Sequence, residues 1–231
     1  MSVMKKYRKK FEIFKALLGK EDPVIVEIGA HFGEDSMRFC EMFKNATVHC
    51  IEPDPRCIKI FKKHVKNNNI KLYELAFSDR NGRMKFYQSY TTPAETKVPE
   101  KYDWINEDDY RKHKLSNSGS SSLKRGYKNI LNETIEVDVI RFDTWAKQNN
   151  VESIDLAWID VQGAEKDVLL GMGEEIDKIN HIWIEYGEKD YEDAMSRRET
   201  INLLESKGYQ VVTSISSFSE TGDLMFQRRI I

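Results

Sequence analysis

Val24-Ile25-Val26-Glu27-Ile28-Gly29-Ala30-His31-Phe32-Gly33-Glu34-Asp35-Ser36 and, shortly after it, Val48-His49-Cys50-Ile51-Glu52-Pro53-Asp54 carry the architecture of this 231-residue chain. The first is a β-branched apolar run that stops at a glycine turn and leads into a helix. The second is another apolar run, ending in a carboxylate about twenty residues beyond the glycine, the layout of a nucleotide-cradling βαβ unit. Its glycines let backbone approach a ligand, and its distal acid takes ribose hydroxyls. The spacing is not that of a dinucleotide site: G-x-G-x-x-G counted from Gly29 falls on His31 and Glu34. A pyrophosphate needs bare backbone and the positive end of a helix, and Glu34 sets a negative charge there. No Gly-Lys-Ser/Thr follows, so a P-loop is excluded as well. Glu27-x-Gly29-x-x-x-Gly33 suits a ligand without phosphate, and S-adenosylmethionine (SAM) is one: Glu27 can face its ammonium group and Glu52 both ribose hydroxyls. The plain alternative is a strand-turn-helix of some other α/β protein.

The chain is long enough for one sizeable domain with a buried core. Its formal charge of −2 gives no global argument for nucleic acid as partner. No apolar run reaches membrane-spanning length, and no signal-peptide pattern is present. Cys40, Cys50 and Cys57 lack metal spacing and read as free thiols in a reducing, cytoplasmic compartment. The five histidines are scattered and form no zinc pattern. Residues 1–23 read as a basic amphipathic helix: Lys5, Lys6, Arg8, Lys9 and Lys10 accompany Tyr7, Phe11, Phe14 and Leu18 at helical spacing. Such a stripe packs on its own domain or rests peripherally on an acidic membrane surface, and packing is the commoner case.

From Val24 onward strands and helices alternate, which predicts a largely parallel sheet covered on both faces. Strands are expected at 24–29, 47–52, 70–77, 153–160 and 181–186, and helices at 34–44, 55–66, 163–170 and about 192–207. The runs 209–213 and 224–228 are joined by too little chain for a crossover helix, so they should be antiparallel or nearly adjacent. A mostly parallel sheet closed by a C-terminal antiparallel strand pair is the Rossmann-like pattern of class I methyltransferases, within a domain spanning 24–231. Between 78 and 152 the alternation lapses. Strands at 83–88 and 134–140 flank an acceptor-side insertion at about 89–131, whose polar stretch of about forty residues carries Tyr102, Trp104, Tyr110 and Tyr127. Those aromatics either wall a binding site or anchor the loop.

Gly29-Ala30-His31-Phe32-Gly33, Glu52-Pro53, Ser78-Asp79-Arg80-Asn81-Gly82, Ser118-Gly119-Ser120-Ser121-Ser122-Leu123 and Ile159-Asp160-Val161-Gln162-Gly163-Ala164-Glu165 occur in that order. Together they resemble the FkbM-type SAM-dependent methyltransferases over roughly residues 24 to 229. The resemblance implies a class I methyltransferase fold and methyl transfer to oxygen, often on a sugar or a secreted natural product. Two positions depart from the family pattern. His31 stands where asparagine is common, by the amino-acid end of SAM, so its effect should fall on affinity. Gln162 stands where glutamate is common, which puts a metal or base role at that position in doubt.

The expected donor site comprises Glu27, Gly29, Ala30, His31, Gly33 and Ser36 on the first turn, with Glu52, Pro53 and Asp54 on the second. Ser78 and Asp79 follow the third strand, Asp79 to accept from the adenine amino group, and Ser121 lies in the serine run. Asp160 ends a strand where ligands bind in open α/β sheets; it is either the general base for the acceptor hydroxyl or the ligand of the SAM ammonium. Glu185 ends the next strand and can share its cleft. A divalent cation between the two acids is the less favoured option, and no metal ligands are assigned. His113 is a further candidate base, and Glu165 reads as a helix-dipole acid.

The resulting expectation is a SAM-dependent O-methyltransferase acting on a hydroxylated small molecule or glycan. Two other classes remain: a SAM-binding protein without turnover, and a methyltransferase of nucleic acid. The last is disfavoured because Asp160-Val161-Gln162-Gly163 lacks the Pro-Pro-aromatic element that holds a planar amine.

Overall fold

The computed structural model describes residues 12–90, 98–126, 131–214 and 220–229. A helix at 12–18 (α1) precedes β1 (Val24–Ile28), α2 (Glu34–Met42), β2 (Thr47–Ile51), α3 (Pro55–His64), β3 (Ile70–Tyr73), β4 (Ala76–Phe77) and β5 (Gly82–Tyr90). Then come α4 (Glu107–Lys112), β6 (Leu131–Ile140), α5 (Phe142–Gln148), β7 (Ile154–Ile159) and α6 (Glu165–Met172). The chain closes with β8 (Ile179–Gly187), α7 (Arg197–Ser206), β9 (Tyr209–Ser214) and β10 (Thr221–Arg228).

Seven strands form the main sheet in the order β3-β2-β1-β7-β8-β10-β9. β1 lies parallel between β2 and β7, and both β8 and β9 pair antiparallel with β10 or, for β8 on its other side, parallel with β7. Inserting β10 between β8 and β9 makes it the strand that runs against the rest. The central strands are apolar on both sides because helices cover both faces. Side chains alternate across the sheet. Val26, Ile28, Ala157 and Ile159 meet Phe142, Trp145, Val168 and Leu169 of α5 and α6 on one face. Ile25, Leu156 and Trp158 meet Phe14 of α1, Phe39 of α2 and Phe43 at its C-terminal cap on the other.

The mostly parallel sheet and its C-terminal antiparallel pair are present as expected, with differences in detail. The run 70–77 is two strands: β3 pairs with β2 at the sheet edge, whereas β4 pairs with β6 in a separate sheet of order β4-β6-β5. The helix expected at about 192–207 begins only at Arg197, where Ser196 and Glu199 form a capping box. The preceding residues loop back toward the sheet end. In the insertion, Tyr102 and Tyr110 are buried with Ile105 and Leu115 against Phe32, Cys57 and Ile60. These contacts anchor the segment; Tyr127 lies outside the described residues. The cysteines are free, with Cys50 and Cys57 buried, and no described helix is long and apolar enough to cross a membrane.

At the N-terminus, Phe14 is fully buried, its ring 5.0 Å from Trp183 and 5.5 Å from Trp158, edge-on to a stacked tryptophan pair 5.8 Å apart. This helix packs on its own domain at that position. Tyr7, Phe11 and the basic cluster lie outside the described residues. Phe14→Ala should cost about 3–5 kcal/mol, as large core truncations do. Urea unfolding would show it as a lower midpoint at unchanged slope, and a cost under about 1 kcal/mol would mean that α1 is not integral to the core.

Candidate active site

Where β1, β2 and β7 end, the chain passes itself at very short range. Gly29 has φ 93°, and a Cβ built there would stand 1.9 Å from the carbonyl oxygen of Asp160. A side chain is therefore excluded on both conformational and steric grounds. The amides of Gly29 and Ala30 both donate to the Ile51 carbonyl at 3.0 Å, and that of Asp160 donates to the Ile28 carbonyl at 3.0 Å. These bonds hold the three strand ends together around a cleft of about 540 Å³.

Gly29, His31, Glu52, Pro53, Ser121 and Asp160 of the expected donor set line this cleft. The Glu52 carboxylate accepts the amides of His31 (2.8 Å) and Asp54 (2.7 Å). Burial raises its pKa to about 8, Asp54 adds to the rise, and the two amide bonds oppose it. Ala76, Phe77, Phe86, Leu123, Val161 and Ala164 make an apolar wall. No lysine or arginine lines the cleft among the described residues, so a pyrophosphate finds no cation. SAM fits this donor set: an apolar wall for adenine, a buried acid for ribose hydroxyls and Asp160 beyond. The apolar wall was not foreseen, although Ala76-Phe77 immediately precede the Ser78-Asp79 turn that was.

Other expected residues are used elsewhere. Glu27 faces α2, where the Ser36 hydroxyl donates to its carboxylate and lies 3.0 Å from Cys50 Sγ; burial raises Glu27 well above the usual carboxylate range. Ala30 is in the core, and Gly33 caps α2 against Phe61 and Val65. Asp54 caps α3 and also accepts from Gln88 (2.7 Å) and the Arg56 guanidinium (2.7 Å). Ser78 contacts Asp79 and Met84, and Asp79 pairs with Arg80, whose hydrogen bond lowers its pKa. His113 ends α4, where burial and the charge of Lys59 lower its pKa. It does not line the cleft.

The insertion is pinned over the cleft at two points. His31 bonds the Ser118 hydroxyl (2.8 Å) and Glu34 (3.2 Å), which also accepts from Tyr102 (2.9 Å). Burial pushes Glu34 up, but His31 and these hydrogen bonds outweigh it and bring the pKa to about 2. Arg56 donates to the carbonyls of Ser89 (3.3 Å) and Lys114 (3.1 Å) and to the Ser121 hydroxyl (3.2 Å).

Asp160 and Glu185 are brought together through Gln162. Its amide nitrogen donates to Asp160 Oδ1 (2.6 Å) and Glu185 Oε2 (2.8 Å), and its Oε1 lies 3.0 Å from the Tyr191 hydroxyl. Gln162 adopts φ 56° and the next residue, Gly163, φ 94°; a Cβ on Gly163 would meet Tyr191 Cβ at 2.4 Å. Glu165 braces this turn by accepting the amides of Val161 (3.2 Å) and Gly163 (3.1 Å), and burial raises its pKa to about 7. Burial, then the neighbouring charge of Asp160, raises Glu185 to about 10. Gln162 lines the donor cleft and also two polar cavities beyond it, both walled by Asp190 and Tyr191. No cluster suited to a metal ion occurs among the described residues.

Acids with raised folded pKa bind protons that the unfolded chain has released. Their contribution to stability is whole below about pH 4.5 and is lost as pH rises through the folded values, by up to ~1.4 kcal/mol per unit for each group. Here the window for Glu165, Glu52 and Glu185 runs from the ordinary carboxylate value to their folded values of about 7, about 8 and about 10. Glu185→Gln keeps the group neutral. It should raise the melting temperature at pH 8–9 and flatten its decline from pH 5. Equal slopes for variant and parent would mean that Glu185 does not hold the proton.

The Methyltransferase FkbM domain family model matches residues 27–211. The chain is 35% identical to the 2-O-methyltransferase NoeI of Sinorhizobium fredii over 201 residues, covering 83% of this chain and 74% of that protein. It is 25% identical to the methyltransferase sdnD of Sordaria araneosa over 202 residues, with 82% and 74% covered. The crystal structure of a SAM dependent methyltransferase from Aquifex aeolicus is similar at a TM-score of 0.49 and 11% identity, covering 95% of this chain and 87% of that one. On the match over 27–211 and the likeness to NoeI, the chain belongs to the FkbM methyltransferase domain family.

Proposed function

We propose that this enzyme transfers the methyl group of SAM to a hydroxyl oxygen of a sugar, glycan or other hydroxylated small molecule. The observation that carries the reading is the meeting of the Gly29–Glu52 cleft, which holds Asp160, with two polar cavities at Gln162. SAM supplies a methyl group activated on a sulfonium sulfur, with a neutral thioether as leaving group. The protein's main task is then alignment, which lowers a barrier by several kcal/mol. Glu52 accepts the ribose hydroxyls and the apolar wall takes the adenine. Asp160 takes the proton of the acceptor hydroxyl, and Gln162 holds one oxygen of that carboxylate so that the other faces the acceptor. The name of NoeI supports oxygen as the site of methylation. The acids around Gln162 are ill suited to a polyanion, which weighs against nucleic acid. Free, buried thiols support a reducing cytoplasmic setting.

A second reading has a specific basis. Asp160 lies in the cleft itself, so it can hold the SAM ammonium instead. Calorimetric titration with S-adenosylhomocysteine, beside NAD, tests the whole reading: binding of the first alone is expected, and binding of neither would overturn it. Asp160→Asn then separates the roles. A base role predicts a kcat lower by about 10²–10⁴-fold with S-adenosylhomocysteine affinity nearly kept. An ammonium ligand predicts the loss in that affinity. Undiminished turnover and affinity would exclude both.

A further inference from the structure

The cavity that adjoins the donor cleft at Gln162 and extends toward the three-stranded sheet holds about 420 Å³. Ser89 of β5 and Asn132 of β6 supply one side, and Asp190 and Tyr191 the other. The two sides are fastened together: Gly126 and Tyr191 form an antiparallel bridge, and the Glu192 amide donates to the Arg125 carbonyl at 2.9 Å. The cavity is thus built from elements far apart in sequence and secured by main-chain bonds. Its lining is hydroxyl, side-chain amide, phenol and carboxylate, with no lysine or arginine among the described residues. Asp190 is on its wall and Asp160 and Glu185 lie one hydrogen bond beyond Gln162. An anionic ligand would meet like charge here without a compensating cation among the described residues, whereas an uncharged polyol finds hydroxyl, amide and carboxylate groups at close quarters.

We propose that this cavity binds the acceptor, that the acceptor is an uncharged polyol, and that Gln162 is the boundary at which its reacting hydroxyl meets Asp160; the inference rests on the methyl-transfer reading above. Gly126 offers a clean way to fill the cavity. Its backbone lies outside the left-handed region. A Cβ there would be 3.5 Å from Tyr191 Cε1 and 3.8 Å from the Asp190 carbonyl, ordinary contacts beside the Tyr191 wall of the cavity, which larger side chains should fill. Gly126 does not line the donor cleft.

The experiment compares the parent with Gly126→Ala, Gly126→Leu and Gly126→Phe, using labelled SAM and calorimetric titration with S-adenosylhomocysteine. The acceptor probes are neutral methyl hexosides, a polyhydroxylated macrolactone, and the uronate and phosphate forms of the same hexoses. The expected result is methylation of a neutral probe in preference to its anionic forms. Acceptor KM should rise with side-chain size, or turnover at subsaturating acceptor fall at least about 100-fold in Gly126→Leu, while S-adenosylhomocysteine affinity stays within about twofold. Which neutral probe is methylated distinguishes a sugar from a polyketide. Preference for an anionic probe overturns the polyol class, as does a parent that binds S-adenosylhomocysteine and methylates no neutral probe. Unchanged acceptor KM across the Gly126 series, with the variants folded by circular dichroism, overturns the location. Failure of the parent to bind S-adenosylhomocysteine would instead defeat the underlying reading.

Discussion

The close passage of Gly29 beneath the Asp160 carbonyl is the constraint from which the site follows. Parallel pairing of β1 with β7 sets Ile28 beside Ile159, and the next residue of each strand has no room for a side chain on the glycine side. The two strands can therefore turn away from each other immediately, one toward α2 and the other toward α6. The gap opened by that divergence is the donor cleft. β2 adds its own terminus through the shared Ile51 carbonyl and delivers Glu52 to the same rim. Three short-range main-chain bonds thus bring together acids that are more than a hundred positions apart in the chain.

The parts of the site legible in the sequence are those governed by local pattern. An apolar run ending in glycine identifies a strand and its turn, and an acid at the end of the next run identifies the rim of a cleft. Gly29, His31, Glu52 and Asp160 were accessible in this way. Glu27 and Ser36 show where local pattern stops. Strand alternation turns Glu27 away from Ile28 and toward α2, and only the packing of that helix reveals Ser36 as its partner. The run 70–77 looks continuous, yet Ala76-Phe77 pair with β6, a strand whose relation to them is set by the fold. Tyr191 falls between the strand expected at 181–186 and the helix expected at about 192–207, where local pattern assigns it nothing. Its function as a wall depends on the Gln162–Gly163 turn and on Gly126, contacts that no window of neighbouring residues contains.

The charge pattern beyond the donor cleft follows from crowding acids around one neutral amide. Desolvation and the charge of Asp160 hold Glu185 well above the ordinary carboxylate range. An amide at position 162 serves each carboxylate with an N–H, and the Tyr191 hydroxyl beside its oxygen fixes which end faces them. An acid at that position would supply no hydrogen when ionised and would place a third carboxyl group in the cluster. The departure of Gln162 from the common glutamate therefore keeps a third carboxyl group out of the cluster and leaves an N–H for each of its two acids.

Arg56 supports the roof of the site in a way that bears on how such an enzyme can change. It grips the insertion and β5 chiefly through the carbonyls of Ser89 and Lys114, atoms that every residue carries whatever its side chain. Its own position is secured from below by Asp54, whose amide donates to Glu52 at the rim of the cleft. The mount is consequently blind to the amino-acid identity of most of what it holds. Side chains of the overlying segment can therefore change without disturbing the bracket, so long as its backbone keeps this path.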